Sequence, residues 1–292
     1  MQFPSGFEHV VREREPLAQY TWLQIGGPAR YFAEPNTGDE LTGMIRAAFE
    51  AQISFRVLGG GSNLLIREAG VDGLVLSFAA PELSSIRIDG RRVTVGAGAK
   101  LSHLISRTVG AGLAGLEHLV GIPGTVGGAV AGNAGVINGD IGSRVRRVGC
   151  VTRHGELVQR DASSLQFSYR LGNLDDVAIH EVELELDAGN VVELTRRMQN
   201  SWIYKRSQQP PSDQRAAVAF VDPSGITAAE LIDQVGLKGA SLGEVSLSAQ
   251  YPGFLIVSGG ANSEQVLALL DRVRKAVEHR TGIQLQSHLR IW

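Results

Sequence analysis

The stretch LGGGSNLL, residues 58–65, decides the fold: three glycines, a serine and an asparagine turn sharply out of the strand-like run ISFRVL at 53–58. Without Cβ atoms, Gly59, Gly60 and Gly61 accept positive φ and let successive backbone N–H groups converge on an anion. Ser62 and Asn63 add side-chain donors, and Leu64 completes the segment. A second glycine-dense stretch, GIPGTVGGAVAGNAG at 121–135, is expected to supply the other wall of the same cavity. Its candidate contacts are Gly121, Ile122, Pro123, Gly124, Gly127, Gly128 and Ala129. Ordinary turn chemistry explains one glycine cluster as readily as an anion site does. Two clusters shift the balance, because 19 of the 36 glycines fall between 59 and 142 against an average usage of about 7%. A pair of such loops suits the pyrophosphate of a dinucleotide.

The Rossmann fingerprint is a different object, a G-x-G-x-x-G that opens a helix. Here Gly61 is followed by SNLLIREAG and then by another strand-like run, GLVLSF at 73–78, and no Walker-type GKS or GKT occurs. A length of 292 residues suggests about two domains at roughly 150 residues each. The net charge of −2, from 28 basic and 30 acidic residues, offers no electrostatic footprint for nucleic acid or an anionic membrane. Cys150 is the only cysteine, which excludes an intramolecular disulfide and a multi-cysteine metal site and points to a reducing compartment. The seven histidines show no H-x-x-H or H-E-x-x-H spacing, so no metal is expected. The first residues lack an apolar signal-peptide core, and no stretch approaches the ~18 apolar residues of a membrane span. A cytoplasmic protein is the expectation.

Periodicity supplies the elements. Leu41, Met44, Ile45, Ala48 and Phe49 have the spacing of an amphipathic helix over 39–52. Residues 84–96 read as a hairpin around Asp89-Gly90, and 145–160 as a strand pair around His154-Gly155. Leu101, Leu104 and Ile105 mark a short helix, and 177–186 a strand. After Gly189 a long helix runs to the loop QQPPSDQR, followed by a helix at 227–235, strands near 245–248 and 254–258, and a helix from Asn262 to Gly282. The terminal IQLQSHLRIW reads as a strand.

The chain resembles the bacterial UDP-N-acetylenolpyruvoylglucosamine reductases, the MurB flavoenzymes of peptidoglycan precursor synthesis. The matching segments are TWLQIGGPA at 21–29, LGGGSNLL, GIPGTVGGA with Asn133-Ala134-Gly135, FSYR at 167–170 and AAELIDQVGLKG at 228–239. The resemblance implies an α+β chain: a vanillyl-alcohol-oxidase/PCMH-type FAD-binding fold over 1–188, in two α+β subdomains split near 80. A smaller α+β substrate-binding domain over 189–292 follows, and the C-terminal part has no room for the insertion of the longer subclass, so the short (type II) form is implied. The implied cofactor is FAD, the hydride donor NADPH, and the partner a small UDP-sugar. In the family, hydride reaches C3 of the enolpyruvyl group from the flavin, and a carbanion at C2 is stabilised and protonated.

By the same resemblance, Arg170, which closes FSYR, holds the substrate carboxylate and the developing enolate, a task suited to a planar, permanently charged fork. Lys205 and Tyr251 fall among the substrate-binding positions, with Arg206 beside Lys205 near the expected diphosphate. Two positions depart from the pattern. Aligned on Phe220 and Pro223, Val218 stands where the family has its proton-donating serine, and Ala217 replaces the usual glycine. The terminal LEPEVR of the family becomes LQSHLR, which puts His288 at the catalytic glutamate; its imidazole has a proton to give near neutrality, while a packed or surface histidine is the plain alternative. YPGFLIVS replaces H-x-NFIVN, with Tyr251, Gly253 and Ser258 at altered positions. Three readings stay open: a reductase whose C2 proton comes from His288 or water, a catalytically impaired flavin-binding paralogue serving as a binding module, and an FAD-dependent oxidoreductase with a changed substrate.

Overall fold

The structure is a computed structural model that describes residues 3–136, 139–174, 177–211 and 213–292. The chain divides into two compact units. The first comprises Met1–Glu15, Arg30–Gly60 and Asp72–Lys205, the second Pro16–Ala29, Gly61–Val71 and Arg206–Trp292.

In the first unit a four-stranded sheet runs in the order Val11–Pro16, Pro28–Ala33, Val71–Ser77, Phe55–Leu58, and its last two strands are parallel, with Phe55 opposite Leu74. Parallel neighbours need a crossover, here the helix-free segment 59–70 that carries the first glycine stretch, while α1 (Gly38–Glu50) precedes the strand at Phe55. Leu41, Met44, Ile45 and Ala48 are fully buried on its inner face, and Thr37 caps it by accepting the Glu40 N–H at 3.1 Å. Phe49, expected on that face, is instead exposed and meets His154 edge-on at 4.4 Å between ring centroids. A second, five-stranded antiparallel sheet has the order Leu157–Asp161, Val145–Thr152, Val177–Glu185, Arg92–Gly96, Ile86–Asp89. Its first hairpin is slipped by one residue from the sequence reading: Asp89 pairs with Arg92, so the loop is Gly90-Arg91, with Gly90 at φ +57°. α2 (Leu101–Gly110) buries Leu101, Leu104 and Ile105, as its spacing predicts. One continuous apolar core, from Tyr31 to Leu194, underlies both sheets.

A short helix that periodicity did not announce, α3 (Val126–Ala131), opens from the second glycine stretch, capped by Thr125. Its two glycines disfavour a helix by about 1 kcal/mol each, yet a Cβ on Gly127 would stand 2.8 Å from the Ala97 Cβ, so close packing of the chain requires the bare residue. α4 (Val191–Ser207) fully buries only Leu194, with Met198 and Lys205 partly covered and most of its other residues exposed.

The second unit holds an antiparallel sheet in the order Arg215–Val218, Phe254–Val257, Val245–Leu247, Ser241–Leu242. α5 (Ala228–Gln234) and α6 (Ser263–Thr281) both begin with capping boxes, Thr227 with Glu230 and Asn262 with Gln265. Gly282 ends α6 in the left-handed region at φ +72°. Val266, Leu269, Leu270, Val273 and Val277 line the buried stripe of α6, in one core with Leu23, Ile25 and Leu65. The terminal segment is a strand only at Arg290–Ile291, which pairs in parallel with Leu64–Leu65. Among the described residues no helix is long and apolar enough to cross a membrane, and no group of three or more His, Cys, Asp or Glu side chains is placed to hold a metal.

Candidate functional site

The two glycine stretches do meet in the first unit. A Cβ on Gly60 would fall 2.6 Å from the Cα of Gly124, and one on Gly59 would fall 2.9 Å from the Thr125 hydroxyl. The loops therefore run backbone against backbone, which no larger residue at Gly60 permits. The N–H groups of Gly60 and Gly124 donate to no acceptor among the described residues. Backbone donors left open at such an approach are what a pyrophosphate needs, so this part of the chain fits the diphosphate of FAD. Val126 and Gly127, by contrast, spend their N–H groups on the carbonyls of Ala99 and Ala97, both at 2.8 Å. Those two residues shape the loop rather than line it with donors. Ile122 folds back through its N–H onto Leu119 at 3.1 Å, Ala129 is buried, and Pro123 and Gly128 are at least partly open.

The other half of LGGGSNLL belongs to the second unit. Gly61 has φ +63°, and a Cβ there would lie 2.0 Å from the Tyr20 carbonyl oxygen. Asn63 accepts the Arg290 N–H on its own carbonyl at 3.0 Å, while its side-chain Oδ1 is buried without a partner among the described residues. Ser62 is half-buried, and Leu64 is buried in the parallel pair with Arg290.

Arg170 occupies a constrained place in the first unit. Phe167–Ser168 and Leu171–Gly172 form a minimal hairpin whose two loop residues are Tyr169 and Arg170. Arg170 has φ +61°, a left-handed conformation uncommon for a residue with a long side chain. Its guanidinium carbon lies 5.5 Å from the ring centroid of exposed Tyr169. The charge of Arg170 is felt by Lys205 at the end of α4: burial first, then repulsion from Arg170, lowers the lysine pKa to about 8. The Lys205 stem is close to the second glycine loop, since a Cβ on Gly121 would stand 3.1 Å from its Cδ. Among the described residues neither Arg170 nor Lys205 makes an ion pair. His118 lies in the same field and is held toward its neutral form. Burial, Arg144 and Lys205 all lower its pKa, against the opposing pull of Glu117. Two cations without a counter-ion among the described residues, beside a donor-bearing loop, are prepared for an anionic ligand.

In the second unit, Val218 and His288 lie on paired segments. The His288 N–H donates to the Ala219 carbonyl at 3.0 Å, and the Val221 N–H to that of Gln286 at 2.9 Å, around a bridge between Phe220 and Ser287. His288 thus stands opposite Ala219, the residue after Val218, on one antiparallel seam. Tyr251, half-buried, donates its backbone N–H to the Ser248 hydroxyl at 3.0 Å in the turn before Phe254–Val257. Arg206 is exposed. The reading from sequence did not single out His118, nor the side-chain role of Asn133, which bonds a hairpin thirty-five positions away. The only local signal was that asparagine tolerates the left-handed region.

Comparison with known proteins adds to this geometry. A family model described as an FAD binding domain matches residues 29–160, and one described as the UDP-N-acetylenolpyruvoylglucosamine reductase C-terminal domain matches residues 209–292. The chain is 44% identical over 290 residues to the UDP-N-acetylenolpyruvoylglucosamine reductase of Rhodopirellula baltica, covering 99% of this chain and 95% of the relative. It is 37% identical to that of Heliobacterium modesticaldum, covering 99% and 93%. The crystal structure of the reductase from Thermus caldophilus superposes with a TM-score of 0.84 at 33% identity, covering 97% of this chain and 99% of that one.

Proposed function

This chain belongs to the UDP-N-acetylenolpyruvoylglucosamine reductase family, and we propose that it reduces the enolpyruvyl nucleotide to UDP-N-acetylmuramate with NADPH, holding the anionic substrate through Arg170 and Lys205. It is a flavoprotein oxidoreductase of peptidoglycan precursor synthesis with an FAD-binding domain. Bound FAD supplies the hydride carrier between NADPH and C3 of the enolpyruvyl group. The observation that carries the site assignment is the pair of cations, Arg170 on its two-residue hairpin loop and Lys205 packed beside Gly121, where burial first and Arg170 second lower the lysine pKa to about 8 and no ion pair among the described residues offsets either charge.

Each residue then has a defined task. Gly59, Gly60 and Gly124 bring backbone donors to the diphosphate, with Gly61, Ser62, Asn63 and the 121–129 stretch as further cofactor contacts. Arg170 donates to the substrate carboxylate and stabilises the negative charge that develops as C2 becomes a carbanion, and its fork geometry lets it serve both. Lys205 neutralises a second negative group on the nucleotide, and Tyr251 is a substrate contact. At the position of the family's serine Val218 has no proton to give. His288, at the position of the glutamate, is the proposed donor to C2, or the residue that orders a donating water. The chain is assigned to the short subclass, with 189–292 as the substrate-binding domain and the cytoplasm as its compartment; the single cysteine and the nucleotide-sugar substrate support the latter.

The test is direct. Purified protein is expected to be yellow, to bleach with NADPH, and to recover its oxidised flavin spectrum when the enolpyruvyl nucleotide is added. Flavin that stays reduced after that addition would favour the impaired paralogue or the changed substrate. A colourless protein that refuses FAD would remove the reading altogether.

A further inference from the structure

Arg170 is held in a left-handed conformation on the shortest possible hairpin, and such a conformation persists only where the surroundings over-determine it. Asn133 is bonded to the base of that hairpin. It is 3% exposed and itself left-handed, at φ +39°. Its Nδ2 donates to the Ser168 carbonyl at 2.9 Å, one residue before the Tyr169-Arg170 loop, and to the Asp140 carboxylate at 3.2 Å. Its Oδ1 accepts the Gly142 N–H at 3.0 Å. Two acceptors face the nitrogen and a donor faces the oxygen, so only one orientation of the amide satisfies all three bonds. The backbone N–H of Asn133 donates to Val130 at 3.1 Å and ties the residue to α3, which rises from the second glycine loop. The hairpin base has no room to re-seat. A Cβ on Gly142 would meet Phe167 Cγ at 2.5 Å and Asn133 Oδ1 at 2.7 Å, and one on Gly172 would lie 3.2 Å from the carbonyl oxygens of Val130 and Ala131.

We propose that Asn133 is a positioning residue for Arg170: it fastens the base of the Tyr169-Arg170 hairpin to the end of α3 and thereby fixes where the guanidinium stands relative to the cofactor loop from which α3 springs. This inference rests on the role assigned to Arg170 above. Asn133 touches neither nucleotide in this scheme. Its effect passes through the Ser168 carbonyl, and aspartate cannot replace it, because a carboxylate lacks the donors and would face the Asp140 carboxylate with like charge.

The experiment uses the full FAD-loaded chain in a double-mutant cycle of Asn133→Ala and Arg170→Ala, with Asn133→Asp as a variant that keeps the side-chain shape and the acceptor for Gly142. Stopped-flow absorbance separates reduction by NADPH from reoxidation by the enolpyruvyl nucleotide, and FAD affinity is measured by fluorescence. Asn133→Ala and Asn133→Asp are expected to slow reoxidation about 10- to 100-fold, with FAD affinity and NADPH reduction within about threefold of the parent. In the Arg170→Ala background the Asn133 substitutions are expected to cost under about threefold more. In the FAD-free chain, hydrogen exchange at residues 167–172 is expected to quicken about tenfold or more in Asn133→Asp. Equal losses in both Arg170 backgrounds, a parallel fall in FAD affinity, or unchanged exchange in the hairpin would each overturn the positioning role while leaving Arg170 in place. Reoxidation that is unaffected by Arg170→Ala alone would overturn the Arg170 assignment and this inference with it.

Discussion

The glycine loops of the first unit and the 215–221 and 286–288 seam of the second are built from different materials. At Gly60 and Gly124 the working surface is backbone, and the space for a single extra carbon is already taken, 2.6 Å from a neighbouring Cα. At Val218 and His288 the backbone serves only to pair strands, through bonds such as His288 N–H to Ala219 at 3.0 Å, and the outward chemistry is entirely in side chains. A ladder of main-chain bonds is indifferent to which side chain it carries. The glycine loops therefore resist substitution, while the paired seam can change a side chain such as that of Val218 without disturbing the fold.

The comparison can be broken at its strongest point first. Gly60→Ala is expected to give a protein that no longer retains FAD, with a folding cost of about 1–3 kcal/mol from overpacking; absorbance of the purified protein and chemical denaturation check both. A yellow, fully stable Gly60→Ala protein would contradict the backbone cradle. Arg170→Ala comes next. Loss of a charge-stabilising donor at the reacting group is expected to lower the rate of reoxidation about 10²- to 10³-fold while NADPH still reduces the flavin, a split that stopped-flow absorbance resolves. Val218→Ser tests the permissive side. If proton delivery limits turnover, introducing a hydroxyl is expected to raise kcat about tenfold or more, within the 10²–10⁴ range of a positioned acid; an unchanged kcat would mean that His288 or water already suffices.

The smallest effect concerns Lys205. Its folded pKa is lowered to about 8 from an ordinary 10.5, so the folded chain releases this proton well before the unfolded chain does. The burial cost is then present in full below pH 8 and disappears as the pH rises through 10.5. Lys205→Met is expected to raise Tm by about 2–4 °C at pH 7, the shift that roughly 1 kcal/mol gives in a chain of this size, and the gain should vanish by pH 10.5. In the parent protein the KM for the nucleotide should climb above pH 8 as the ammonium is lost, and Lys205→Met should flatten that rise. Thermal melts and KM against pH provide the two checks.

Much of this architecture was legible in the residues because its causes are local. The 3.6-residue spacing of Leu41, Met44, Ile45 and Ala48 defines α1, and Thr227 with Glu230 announces α5. The two glycine loops could be paired on composition alone. What escaped has long-range causes. α3 carries adjacent glycines that argue against a helix, and only the approach of Ala97 explains them. Phe49 continues the apolar stripe of α1, yet finds a partner in His154, more than a hundred positions away. Lys205 reads as an ordinary helix-end cation, and its lowered pKa exists only because the fold buries it near Arg170. The clamp from Asn133 to Ser168 likewise joins positions that no periodicity links.

The interleaving of the two units also bears on how the protein is made. Leu23, Ile25 and Leu65 belong to a core whose remaining members lie beyond residue 206. At a synthesis rate of about 5–20 residues per second, those early segments emerge from the ribosome on the order of 10 s before the helices and strands that will cover them. The nascent chain must keep its own early hydrophobic residues, in segments 16–29 and 61–71, in waiting until the rest of that core has been made.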